Sequence, residues 1–174
     1  MADPTPYFEE ARKELRGKYW TEPSDHSAEM RGEAIFQEHI LTFLHNKFEV
    51  RLSMDFGLRE RGTVFCQLPI RPDYFFFSIQ SNSPWQQLLL RKKPLEIECE
   101  NPSVIEKIEE SQEFVTLSQM AKKVKFEPEF NGNNRAHGFE IHCSFHLKFD
   151  EQGEVIIPIV NFYKRLIDIF SHRS

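Results

Sequence analysis

Cysteine is scarce in this chain of 174 residues: Cys66, Cys99 and Cys143 are the whole set. They are odd in number, 33 and 44 residues apart, and form no CxxC pair. A disulfide framework wants an even count and a zinc site wants close pairs, so neither is expected. Each cysteine shares the parity of apolar neighbours: Cys66 with Val64 and Leu68, Cys99 with Leu95 and Ile97, Cys143 with Ile141 and Phe145. They read as reduced thiols packed as small hydrophobes, as befits a reducing compartment. Long apolar runs are missing too. Tyr74-Phe75-Phe76-Phe77 and Val155-Ile156-Ile157 stop after four and three residues, whereas a membrane-spanning helix needs about 18 or more. Met1-Ala2-Asp3-Pro4 leads straight into a charged segment without a signal-peptide pattern, so a cytoplasmic location is expected. The seven glycines compose neither GxGxxG nor GxxxxGK[ST], and no GxSxG occurs. A glycine-rich phosphate cradle and a nucleophile elbow are therefore not indicated, and no cofactor is expected.

A basic excess is also lacking. Lysine and arginine total 22 against 27 acidic residues, a net charge of −5, which argues against a dedicated nucleic-acid surface. What the chain has in quantity is phenylalanine, 17 of its 23 aromatic residues. So much aromatic surface cannot stay disordered in water. A chain of this length buries roughly 70% of its unfolded surface, and a single soluble domain spanning 1–174 is expected.

The periodicities predict an α+β fold with a mostly antiparallel sheet of six to eight strands. At the N-terminus, Pro6–Arg16 reads as a peripheral helix capped by Thr5 and ended by Gly17, and 17–27 as an irregular connection. In 33–46, Phe36, Ile40, Phe43 and Leu44 recur at helical spacing. Ala34, Phe36, Ile40 and Leu44 also share one parity, which suits a strand; the length favours the helix. Strands are predicted at Phe48–Phe56, Thr63–Ile70, Tyr74–Gln80, Gln86–Leu90 and Leu95–Cys99. Asn101-Pro102 opens a helix and Ser111 caps a second one, Gln112–Lys122, so a helical pair is inserted near 102–122. Glu109 and Glu110 at the end of the first helix oppose its dipole, which calls for cationic neighbours or near-continuous helices.

Val124–Phe130 resumes strand character, and Asn131-Gly132 signals a hairpin. The returning strand sets Phe139, Ile141, Cys143, Phe145, Leu147 and Phe149 on one side. A turn at 150–153 and a short strand at Val155–Ile157 precede a helix opened by Pro158. Its Ile159, Phe162, Tyr163, Leu166, Ile167 and Phe170 should cover one sheet face.

Candidate chemistry is thin. His142 and His146 lie about 13 Å apart on a strand, too far to share a metal ion. A hydrolase-like role for them, or for His137 with Glu140, needs partners from neighbouring strands. Glu38-His39 lacks the second histidine of HExxH. Glu96, Glu98 and Glu100 form an acidic strand face, an edge-protecting row, with Arg91-Lys92-Lys93 as its counterweight. Those cations, with Lys122, Lys123, Lys125, Trp85 and Phe126, could grip a single strand of nucleic acid, but acidic residues flank every cluster.

Two binding readings remain. A pocket between the Phe-rich strands (Phe75, Phe77, Phe139, Phe145, Phe149) and the C-terminal helix could hold an apolar ligand. Alternatively, Leu88-Leu89-Leu90 beside Trp85 cannot all face inward from a strand, so apolar surface there should meet another element or chain. The chain is thus read first as a non-enzymatic interaction module with a protein partner or a second copy. Its candidate surface is Trp85, Leu88, Leu90, Arg91, Lys92, Lys93, Glu96, Glu98, His142 and His146.

Overall fold

A computed structural model describes residues 3–24, 37–56, 60–69, 76–124, 126–149 and 152–171. Helix α1 (Thr5–Leu15) precedes strands β1 (Lys18–Pro23), β2 (Gln37–His45), β3 (Phe48–Asp55), β4 (Arg61–Leu68) and β5 (Phe77–Ser81). Helix α2 (Pro84–Leu89), strand β6 (Leu95–Cys99) and helices α3 (Pro102–Glu109) and α4 (Gln112–Val124) follow. Strands β7 (Glu129–Arg135) and β8 (Gly138–His146), a 3₁₀ turn at Gln152–Val155 and helix α5 (Ile156–Ser171) complete the order. The eight strands form one sheet, β1-β2-β3-β4-β8-β7-β5-β6, antiparallel at every pairing.

The α+β class and the covered face are as predicted. Register aligns Leu41 with Leu52, Leu52 with Val64, Val64 with Cys143 and Cys143 with Phe130, an apolar row crossing five strands. Against this face lies α5, whose Ile159, Phe162, Tyr163, Leu166, Ile167 and Phe170 are all buried. Rings fill the layer between them: Phe77 and Phe139 both meet Phe170, at 4.9 and 5.0 Å, and Phe130 meets Phe162 edge-on at 5.0 Å. Tyr163, buried among apolar groups, donates its hydroxyl to the Ile141 carbonyl, which satisfies a group that burial would otherwise penalise. Arg51, Phe65 and Gln67 stand exposed on the opposite face.

The inserted pair is capped as its sequence implies. Asn101 accepts from the Ser103 amide at 3.0 Å and Ser111 from the Phe114 amide at 3.3 Å. Glu109 has its cation, Lys93, at 2.7 Å.

Several local expectations are overturned. Gln37–His45 is strand, not helix, and 33–36 lie outside the described residues. Its core side is also the other parity, His39, Leu41 and Phe43, while Leu44 is exposed. Pairing on both sides, with β1 and β3, outweighs the helical spacing. Residues 18–23 are not an irregular connection but β1, the edge strand on β2. Thr5 lies within α1, whose amide is met by Asp3 at 2.9 Å, and Arg16 rather than Gly17 takes the left-handed cap conformation. Gly17 is needed for another reason: a Cβ there would lie 2.5 Å from the Thr42 carbonyl oxygen.

Asn131-Gly132 sits inside β7, and the turn falls at Ala136-His137 between Arg135 and Gly138. Gly132 makes room for a ring, since a Cβ would lie 2.0 Å from Phe77. Strand character does not begin at Val124, which ends α4, but at Glu129. Residues 155–157 are the end of the 3₁₀ turn and the start of α5, with Pro158 in the first helical turn, where a missing amide costs nothing. The expected strand at Gln86–Leu90 is helix α2. Phe75, Lys125 and the first two residues of the expected turn at 150–153 lie outside the described residues.

Candidate docking surface

The connection between β5 and β6 carries the feature of interest. Ser81 pairs with Leu95, and the chain between them leaves the sheet as an excursion closed at its base by Asn82. The buried Asn82 donates its amide to the Pro94 carbonyl and its side chain to the Lys93 carbonyl, both at 2.9 Å. Its own carbonyl accepts from the Gln87 side chain at 2.7 Å. On that base stands α2, opened by a reciprocal capping box. Ser83 accepts from the Gln86 amide at 3.3 Å and its own amide donates to the Gln86 side chain at 2.8 Å. Pro84 lies in the first turn, where its fixed φ suits a helix start. Ser-x-x-Gln with proline is the sequence signature that identifies this helix.

A six-residue helix so firmly closed would be expected to bury an apolar side. Instead Trp85 is 72% exposed, Leu88 73%, Leu89 72% and Leu90 64%. The segment then turns through Arg91, a non-glycine residue in the left-handed region at φ 52°, and Arg91, Lys92 and Lys93 follow, all exposed. Lys92 pairs with Glu96 and Lys93 with Glu109, each at 2.7 Å. Lys92 and then Asn82 hold the Glu96 carboxyl below its ordinary value. Arg91, Lys122 and Lys123 have no carboxylate partner among the described residues.

A cleft of about 470 Å³ runs between α2 and the end of α4, with Leu88, Pro94, Ala121 and Phe126 as its apolar lining and Lys92 and Lys122 at its cationic side. Other large apolar residues such as Leu44, Phe65 and Phe76 are also exposed, but at scattered positions, whereas here four follow within six residues on one corner.

The remaining candidates separate. Glu96 and Glu98 stand on the exposed side of edge strand β6, apart from His142, which lies across the sheet between Phe65 and Asn131. Burial, then the Arg61 charge, pushes His142 below its ordinary value, against a smaller pull from Glu140. Glu140 itself lies 3.8 Å from Arg135. His146 meets Glu127 at 3.1 Å in a second cavity of about 340 Å³, lined also by Arg61, Ser83 and Gln86. His146 thus has a carboxylate partner of its own, and Arg61 lies near both histidines. His137 is exposed in the β7–β8 turn. Phe126, read as an aromatic platform, is buried against Phe145 and Phe149. The described residues contain no group of three or more metal-ligating side chains, and no described helix is long and apolar enough to cross a membrane. All three cysteines are free.

No protein-family profile and no curated protein matches the sequence. Among solved structures, the mycobacterial trehalose monomycolate transport factor A, TtfA, aligns over 95% of this chain and 95% of its own, with TM-score 0.46 and 8% identity.

Proposed function

We propose that this chain is a non-enzymatic binding module that docks through the α2 corner. One observation carries the reading: four large apolar residues, Trp85, Leu88, Leu89 and Leu90, are held more than half exposed on a segment that is capped at its start and pinned at its base. Exposed apolar surface is costly in water, and order adds to the cost by forbidding local collapse. A surface that is both apolar and rigid is preorganised for contact. The three free thiols suit a reducing compartment, which we take to be the cytoplasm.

Occupancy can be read without knowing the partner. In a Cys99→Ser background the two remaining native thiols are inert: Cys66 and Cys143 are fully buried, and burial pushes Cys66 up to about 12 and Cys143 well above its ordinary value. A Leu88→Cys variant then reports the docking corner, and Gln67→Cys reports the opposite sheet face. The purified protein should react with a maleimide at both sites. In permeabilised native cells Leu88→Cys should be protected and Gln67→Cys should not. Equal reactivity of Leu88→Cys in the two settings refutes the docking reading.

A further inference from the structure

We infer that the occupant of the α2 corner is an anionic phospholipid surface, an assignment that rests on the docking reading and names its partner. The apolar part has the composition of an interfacial anchor: one Trp and three Leu, 64–73% exposed, at the tip of a connection that leaves the sheet. Such side chains sink about 5–10 Å, into the boundary between headgroups and acyl chains, where the indole is well placed. Cations surround them. Arg91, Lys92 and Lys93 continue the same segment, and Lys122 shares the cleft with Leu88 and Lys92. Lys123 lies exposed beside it on α4.

Three of the acids around this corner are engaged, while Glu98 on β6 and Glu129 on β7 have no cation partner among the described residues. Glu96 and Glu109 pair with lysines of the cluster, and Glu127, which reaches the cleft, pairs with His146. Arg91, Lys122 and Lys123 remain uncommitted among the described residues. In a chain of net charge −5, a basic rim around an apolar tip fixes which side turns towards a negative surface. The long-range repulsion of the rest of the molecule adds orientation and not affinity.

Composition also separates a membrane from a protein partner. Protein interfaces are depleted in lysine, and their energetic centres are poor in leucine. This corner is built mainly from those two residue types. Basic residues around Leu and Trp are instead the pattern of surfaces that lie on membranes. Lys92 and Lys93, on flexible stems, can exchange their exposed carboxylate partners for lipid phosphates at little cost, because such pairs are weakly held in water.

The test uses the full chain with Trp20→Phe, which leaves Trp85 as the only indole. Vesicles are made of phosphatidylcholine alone or with about 30% phosphatidylserine. The serine-lipid vesicles should blue-shift Trp85 emission and sediment the protein at least about tenfold more strongly than neutral ones. Raising salt from about 0.1 M to about 1 M should remove most of that preference. Leu88→Glu with Leu89→Glu should abolish binding while leaving the melting curve unchanged, since both positions are exposed.

Absence of binding to anionic vesicles, equal binding to neutral ones, or undiminished binding of the double variant overturns the assignment. Protection of Leu88→Cys in cells without vesicle binding overturns it in favour of a protein partner and leaves docking intact. Protection of the purified chain that grows with its own concentration overturns it in favour of a second copy. Loss of both signals removes both readings.

Discussion

His39 lies on the core side of β2 at 5% exposure, its ring 5.3 Å from Phe8 and 5.4 Å from Phe56, stacked at 6.0 Å on Tyr19. Tyr19 Oη is hydrogen-bonded to its Nδ1 at 2.8 Å, with the direction of the bond set by the ring's tautomer. Burial, only partly offset by Asp3, lowers its pKa from 6.5. The unfolded chain therefore takes up a proton that the folded chain resists. The stability this neutral histidine supports is complete above about pH 6.5 and is lost as pH falls through the folded value. His142, also lowered, acts in the same direction. The melting temperature should fall between about pH 7.5 and 5.5, a window above most carboxylate titration. His39→Gln should flatten that slope in thermal melts recorded across the window, and an unchanged slope would show that His39 does not carry it. None of this is legible in Glu38-His39 as a dipeptide, because the environment of the ring comes from α1, β1 and the chain beyond β3.

Among the elements, β8 shows what alternation can and cannot establish. Phe139, Ile141, Cys143, Phe145, Leu147 and Phe149 are all buried, as their shared parity implies. Where one sheet face is covered and the other wet, a slip of one residue would expose the whole set, so pattern and register agree. Phe145 fills the space over Gly62, where a Cβ would lie 2.1 Å from its ring, and meets Phe126 edge-on at 5.1 Å. Phe145→Ala should destabilise the protein by about 3–5 kcal/mol in denaturant titrations. A loss under about 1 kcal/mol would mean that the ring is not part of the core.

The same logic explains the misread elements. In β2, Ile40 is buried although it faces away from α5, so apolar residues on both sides blur the alternation into apparent helical spacing. Gly132 marks a close approach of Phe77 instead of a turn. In α2 the apolar residues do face outward, and no pattern that assumes burial could place them. The docking corner was legible as an excess of apolar side chains, and its helical form only as the Ser83–Gln86 capping box.

At the scale of the molecule, α5 ties the two ends of the sheet together. It packs on α1 beside the β1–β2 end and on α3 and α4 beside the β5–β6 end. One continuous apolar cluster runs from Phe8 and Ala11 through the strands to Phe114 and Leu117. Both ends therefore share their stability through one helix, and neither has a core of its own to fall back on. Phe8, stacked on Tyr19 at 5.3 Å, and Phe114, 5.7 Å from Phe162, are probes at opposite ends of that cluster. If the chain is one cooperative unit, Phe8→Ala and Phe114→Ala should each lower the midpoint of a single transition. Each should cost about 3–5 kcal/mol, with near- and far-ultraviolet circular dichroism remaining coincident. A biphasic curve in either variant would show that the sheet divides and that α5 does not join it. The α2 corner lies outside this cluster, so Leu88→Glu with Leu89→Glu should leave the same transition unmoved. The core and the docking corner can then be altered separately, which makes loss of binding in that double variant attributable to the surface alone.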